Sequence, residues 1–223
     1  MIHAQESPDE SGEKQAGKTL RIACWSSWDK DDLYIKGKKK GAEEEMVKLK
    51  IFNMSYSKEY HYRVGESLKF YVKTGNEENP YKLMLSANIP SSFREPLVLL
   101  SITGQGVEHM IYELDDKSFP FGSYKIVNFT PTNLFVNFDG KKFSLKPKSN
   151  FFVNPRKSGE QRAVQCRVGI RYKEDTKLVY SSMLMNNPNK RMLMFFYPTK
   201  DEAGRSAIKC RSLVDFSSRK KKS

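Results

Sequence analysis

KIVNFTPTNLFVNFDGKKFSL, Lys125 to Leu145, is the stretch whose reading decides the fold. Leu134, Val136 and Phe138 alternate with Phe135 and Asn137, then come Asp139-Gly140, and after them Phe143 and Leu145 resume the alternation. A period of two places one set of side chains on a buried face and the other in water, as a strand does and a helix does not. Glycine reaches positive φ at little cost, so an Asp-Gly pair between two such runs favours a two-residue hairpin turn. A β-hairpin over 133–145 is therefore predicted.

Working outward, the same grammar recurs in both directions. Towards the N-terminus lie LRIACW, DDLYIK, EMVKLKIFNM, YHYRVGESLKFYV, KLMLSANIP and PLVLLSIT, with prolines at 80, 90 and 96 marking edges and turns. Towards the C-terminus lie QCRVGIRY, KLVYSSMLM, RMLMFFYP and SAIKCRSLVDF, and HMIYELDD stands just before the quoted stretch. Short apolar runs with turn signals about every eight to twelve residues are the pattern of a sandwich or barrel. No helical period is sustained. Met183, Met185, Met192 and Met194 fall at spacing two and read as strand core. The expectation is an all-β chain of two tandem antiparallel β-sandwich-like lobes, 19–106 and 107–216, flanked by a disordered tether, 1–18, and a basic tail, 217–223.

The quoted stretch also resembles an earlier one. Lys50 to Gly65, KIFNMSYSKEYHYRVG, aligns without a gap to Lys125–Gly140, 75 positions on. Lys, Ile, Asn and Gly are shared, and Ser55, Ser57 and Tyr60 match Thr130, Thr132 and Phe135 in kind. The match suggests two related β units in tandem, with convergent strand-turn-strand chemistry as the competing explanation. Asn53, Ser55, Asn128 and Thr130 are expected to hold corners by bonding their own backbone. The triplets NMS and NFT are also glycosylation sequons, but their frequency favours the corner role.

Composition bounds the function. A hydrophobic fraction of 38% with 12% aromatic residues supplies a core, although mean hydropathy is −0.65. A net charge of +13 favours an acidic partner: nucleic acid, an anionic envelope polymer or an anionic surface. Arg219–Lys222 contributes four of those charges beyond the last apolar run. Lys36 and Lys38–Lys40, followed by Glu43–Glu45 and bracketed by Gly37 and Gly41, read as a charged hairpin turn. No apolar run is long enough to span a membrane. The first residues lack the parts of a signal peptide, yet Ile2-His3-Ala4 resembles the end of one, and export is expected. Cys24, Cys166 and Cys210 lack metal-ligand spacing and read as buried thiols, with a Cys166–Cys210 disulfide as the minor alternative.

The search for catalytic chemistry is mostly negative. His3, His61 and His109 have no partner at ligand spacing, so no metal site is expected. GQGVEH lacks the third glycine and the helix of a dinucleotide loop, and no phosphate loop or nucleophile elbow occurs. No catalytic residue and no cofactor is assigned, and the protein is read as a non-enzyme. The best binding candidate is the wet face of YHYRVGESLKFYVK, where His61 and Arg63 are expected one strand across from Lys69, Tyr71 and Lys73. Cations beside an aromatic ring attract anions and stack on bases or sugars.

Trp25 and Trp28, the phrase SFPFGSYKIVNFTPTNLFVNFDGKKFSLKP and the late NKRMLMFFYP together resemble uncharacterised secreted β-sandwich proteins of Verrucomicrobia- and Planctomycete-type bacteria, over Leu20 to Phe216. The resemblance implies an exported β-sandwich and carries no active residues with it. The reading is a non-catalytic, secreted or periplasmic envelope module with a structural role or one in binding an anionic (glyco)polymer or another envelope protein. A basic nucleic-acid-binding β protein is the alternative, and an esterase or glycan hydrolase comes third.

Overall fold

The computed structural model describes residues 18–25, 28–38, 44–103, 106–155, 162–172 and 175–217, and it is built of strands without a helix among them. Residues 1–17 of the tether and the tip of the charged turn at 39–43 lie outside the described residues, as does the tail beyond Ser217, whereas Lys18, expected in the tether, opens the first strand. The first eight strands are β1 (Lys18–Cys24), β2 (Leu33–Lys38), β3 (Glu44–Lys48), β4 (Tyr60–Tyr62), β5 (Leu68–Lys73), β6 (Tyr81–Ala87), β7 (Pro96–Thr103) and β8 (Gly106–Glu113). The second eight are β9 (Tyr124–Asn128), β10 (Leu134–Phe138), β11 (Lys141–Leu145), β12 (Asn150–Val153), β13 (Arg162–Tyr172), β14 (Asp175–Asn186), β15 (Lys190–Lys200) and β16 (Ser206–Phe216).

They form four sheets of four strands, ordered β3-β2-β5-β6, β4-β1-β7-β8, β12-β9-β15-β16 and β11-β10-β13-β14. The second lobe thus reproduces the strand order of the first with an offset of eight. Directions repeat as well: β1 runs parallel to β7 and β9 parallel to β15, while the other pairings are antiparallel. The lobes are therefore mixed, not purely antiparallel. The expected break at 106/107 falls inside β8, after its first residue, and β8 is hydrogen-bonded to β7, so the chain passes to the second lobe over 114–123.

The topological repeat is not the one the sequence match suggested. Equivalent strands are β1 and β9, whereas the 75-residue match lays β9 over 49–53, all of which lies outside any strand. It also sets buried Tyr60 on Phe135, which points outward. A pairing that exchanges inner and outer faces cannot join equivalent strands.

The hairpin forms as read. Phe138 pairs with Lys141, and Asp139 and Gly140 both take positive φ, 51° and 84°. Both values match the turn whose twist suits a two-residue hairpin.

Packing explains two runs whose apolar character is continuous instead of alternating. In PLVLL, Val98 and Leu100 face the first core with Leu20, Ile22, Ile35 and Phe70, whereas Leu97 and Leu99 point the other way. In RMLMFF, Met192, Met194 and Phe196 face the second core with Ile126, Val136 and Val168, whereas Leu193 and Phe195 point the other way. Those outward residues meet each other and Ala23, Leu114, Phe119, Val127 and Leu213 in a third core between the lobes. Strands buried on both faces read as unbroken apolar runs. The molecule is a four-layered stack whose two inner sheets are joined, leaving the outer faces of β3-β2-β5-β6 and β11-β10-β13-β14 to solvent.

A polar cluster lies at the same junction. Arg21 forms two hydrogen bonds of 2.9 Å to Asp215, and Arg191 donates to the same carboxylate at 2.8 Å. Arg191 also donates to the carbonyls of Leu114 and Phe119. Burial alone would raise the Asp215 carboxyl, but the two guanidiniums outweigh it and hold it below the ordinary range.

Two further expectations need correction, and the reading of the cysteines as free thiols needs none. Met192 and Met194 are core, but Met183 and Met185 are exposed on the outer face of β14, because Leu184 between them packs inward. Asn128 and Thr130 are buried and mutually bonded, with Asn128 also donating to Thr132 and Leu145 carbonyls at 2.8 and 2.9 Å. Asn53 and Ser55 are instead exposed, and the first corner is fastened by buried Ser57, whose Oγ accepts from the Ile22 amide at 2.8 Å. All three cysteines are free thiols.

Candidate anion-binding hollow

β5 carries its candidate residues on one face. Leu68 and Phe70 enter the first core, and Lys69 and Tyr71 turn outward. A bulge between Phe70 and Tyr71 shifts the register against β6, so that Phe70 faces Leu85 and Tyr71 faces Leu83. On the other side Tyr71 pairs with Tyr34 and Phe70 with Ile35. One residue further along β2 stands Lys36, on the same outer face as Lys69 by the period of two.

β4 is not beside β5. It pairs with β1 in the inner sheet, and the chain then crosses to the outer sheet through the turn at 63–67, where Gly65 takes φ 87°. The expected one-strand separation is thus incorrect, since alternation fixes a residue's face but not its sheet. The crossing nevertheless brings Arg63 to the same place. Lys36, Arg63, Glu66, Ser67, Lys69 and Tyr71 line one open hollow of about 480 Å³, with Tyr62 among its walls. Arg63 and Glu66 approach to 3.5 Å, both largely exposed.

Two of the five predicted residues lie elsewhere. His61 lines a separate hollow of about 450 Å³ together with Lys48, Lys58 and Glu59. Lys73 lies over the Tyr34 ring at 5.6 Å, and that ring meets Tyr81 edge-on at 5.2 Å. Lys36 was missed as a site residue because its neighbours read as a solvated turn. The alternation of Leu33 and Ile35, both inward, against Tyr34 and Lys36 was the signal that pointed to it.

Three cations with one carboxylate and a tyrosine ring can hold an anion and a flat or apolar surface at once. Among the described residues no three His, Cys, Asp or Glu side chains group so as to hold a metal ion, and no helix is long and apolar enough to cross a membrane. Comparison of the chain with protein-family models and with curated proteins returns no match.

Proposed function

We propose that the protein is a non-catalytic, exported envelope or extracellular module that binds an anionic polysaccharide or related polymer through the outer face of its first lobe. The observation that carries this reading is the convergence of Lys36, Arg63 and Lys69 with Tyr71 around one hollow that contains, among the described residues, a single carboxylate, Glu66. An open, polar hollow on a sheet face suits a chain lying across it better than a small molecule enclosed by it.

The nucleic-acid reading rests on the same cations and on the total charge of +13. One experiment separates the two. Binding of an acidic polysaccharide and of single-stranded DNA is measured on a chain ending at Phe216, in the wild type and in Lys36→Gln/Arg63→Gln/Lys69→Gln. Polysaccharide binding lost in the triple variant is the expected result, with DNA binding no tighter than about 10⁻⁴ M at physiological salt. Micromolar DNA binding that disappears in the triple variant would exchange the two readings.

A further inference from the structure

The repeated topology allows the two outer faces to be compared residue by residue. In the first lobe Tyr34 pairs with Tyr71, and Tyr71 faces Leu83 across the bulge. In the second lobe Phe135 pairs with Gly169, and Gly169 faces Leu178 across a bulge at the equivalent place, between Val168 and Gly169. Two residues along each strand stand Lys36 and Lys69 in the first lobe, and the pair Asn137 and Arg167 in the second.

The difference lies at Tyr71 and Gly169. Tyr34 is only 7% exposed, whereas Phe135 is 39% exposed beside a glycine. A side chain at that glycine would have to displace its neighbours, because a Cβ would lie 2.6 Å from Thr176 Cγ2 and 3.1 Å from the Lys177 carbonyl. The result is an open groove of about 540 Å³ over Gly169, lined by Phe135, Asn137, Lys142, Arg167, Thr176 and Leu178 among others and, among the described residues, by no carboxylate.

We infer that this groove is a second polymer-binding site, equivalent in the fold to the first-lobe hollow, and that it takes a sugar ring bearing a carboxylate or sulfate. The inference rests on the polymer-binding reading above. The exposed ring of Phe135 and the Leu178 side chain offer an apolar platform for the C–H face of a pyranose, whose weakly positive hydrogens suit the negative face of the ring. Arg167 presents a planar fork matched to a carboxylate, Lys142 adds a point charge, and Asn137 and Thr176 supply donors and acceptors for hydroxyls. An aromatic side chain from a protein partner would fill the slot as Tyr71 fills its counterpart, but it would leave both cations without a counter-charge. Charge complementarity therefore selects the anionic sugar. The two sites lie on opposite outer faces of the stack, so each takes its own stretch of polymer.

The test uses the full chain, a uronate trisaccharide, the parent polyuronate, and a neutral glucan of the same length as control. Amide resonances of Lys69 and Tyr71 report the first site, and those of Phe135 and Gly169 report the second. The expected result is that the uronate shifts both sets and the glucan neither. Phe135→Ala/Arg167→Gln should silence the second set with the polyuronate as with the trisaccharide, and keep the first. Dispersed amides elsewhere in the spectrum check that the double variant folds. A uronate response confined to the first lobe overturns the inference and leaves the polymer-binding reading standing. A response in neither lobe overturns both. Equal shifts at Phe135 and Gly169 with the neutral glucan, or with a tyrosine-containing peptide, also refute an anionic-sugar site.

Discussion

Asp215→Asn should separate the lobes' polar cement from their apolar contact. Asp215 is 8% exposed at its side chain and Arg191 2%, and one carboxylate serves both Arg191 and Arg21. The amide keeps the shape but removes the charge, leaving two guanidiniums face to face with no counter-charge between them. Breaking a buried pair from one side costs about 3–5 kcal/mol. The lower end applies, because Arg191 retains Asp116 at 3.2 Å, Glu95 at 3.6 Å and the Phe119 carbonyl at 2.9 Å. A chain of this size loses roughly 2–4 °C in Tm per kcal/mol, so a loss of about 6–12 °C is expected near neutral pH.

The effect has a pH signature whose sign follows from the depressed carboxyl. Where the folded pKa lies below the unfolded one, the stabilisation is present above the unfolded value and is lost as pH falls through the folded value. The wild type should therefore lose stability below about pH 4, the ordinary aspartate range, while the variant lacks that part of the titration. The gap between them should narrow on acidification. Thermal denaturation of both proteins from pH 7 down to pH 3 measures it. A variant within about 2 °C of wild type at pH 7 would refute a net role for the cluster in joining the lobes. Asp32→Asn, which breaks the exposed pair with Lys48, is the control and should move Tm far less.

Leu99→Ala, at a fully buried position between the lobes, should cost about 2–5 kcal/mol in urea unfolding, and an unchanged midpoint would remove Leu99 from that core. Asn128→Ala strands the carbonyls of Thr132 and Leu145 and the Thr130 amide, so a loss of about 2–3 kcal/mol is expected, against less than about 0.5 kcal/mol for Asn53→Ala; equal losses would contradict the asymmetry of the two corners. Burial pushes the thiols of Cys166 and Cys210 up to about 12, so a disulfide reagent at pH 8 should leave both unmodified in the native protein and label them in denaturant; rapid native labelling would show that the second core is open.

Much of the local structure was legible before any coordinates. The Asp139-Gly140 turn follows from the one residue type that takes positive φ freely, and the inward faces of β4, β5 and β10 follow from strict alternation. Short strand β12 escaped notice because NFFV offers a single alternation between turn residues. Met183 and Met185 were misplaced because Leu184 beside them is equally apolar, and a run with two apolar faces does not say which one is wet.

The candidate site divides along the same line. That Arg63, Lys69 and Tyr71 point to solvent is a property of the chain read two residues at a time, and so is the solvent face of Lys36. That they share a hollow, while His61 and Lys73 leave it, depends on β4 joining the inner sheet and β5 the outer one. The groove over Gly169 depends on a register shift between strands and on the approach of Thr176, neither of which leaves a mark at Gly169 itself. The amino-acid order determined where strands run, which way their side chains face and where turns fall, because these obey contacts between near neighbours. Strand partners, the stacking of four sheets and the pairing of equivalent faces were decided only in the tertiary structure. There the burial of PLVLL against RMLMFF joins residues almost a hundred positions apart, at no spacing that a local pattern records.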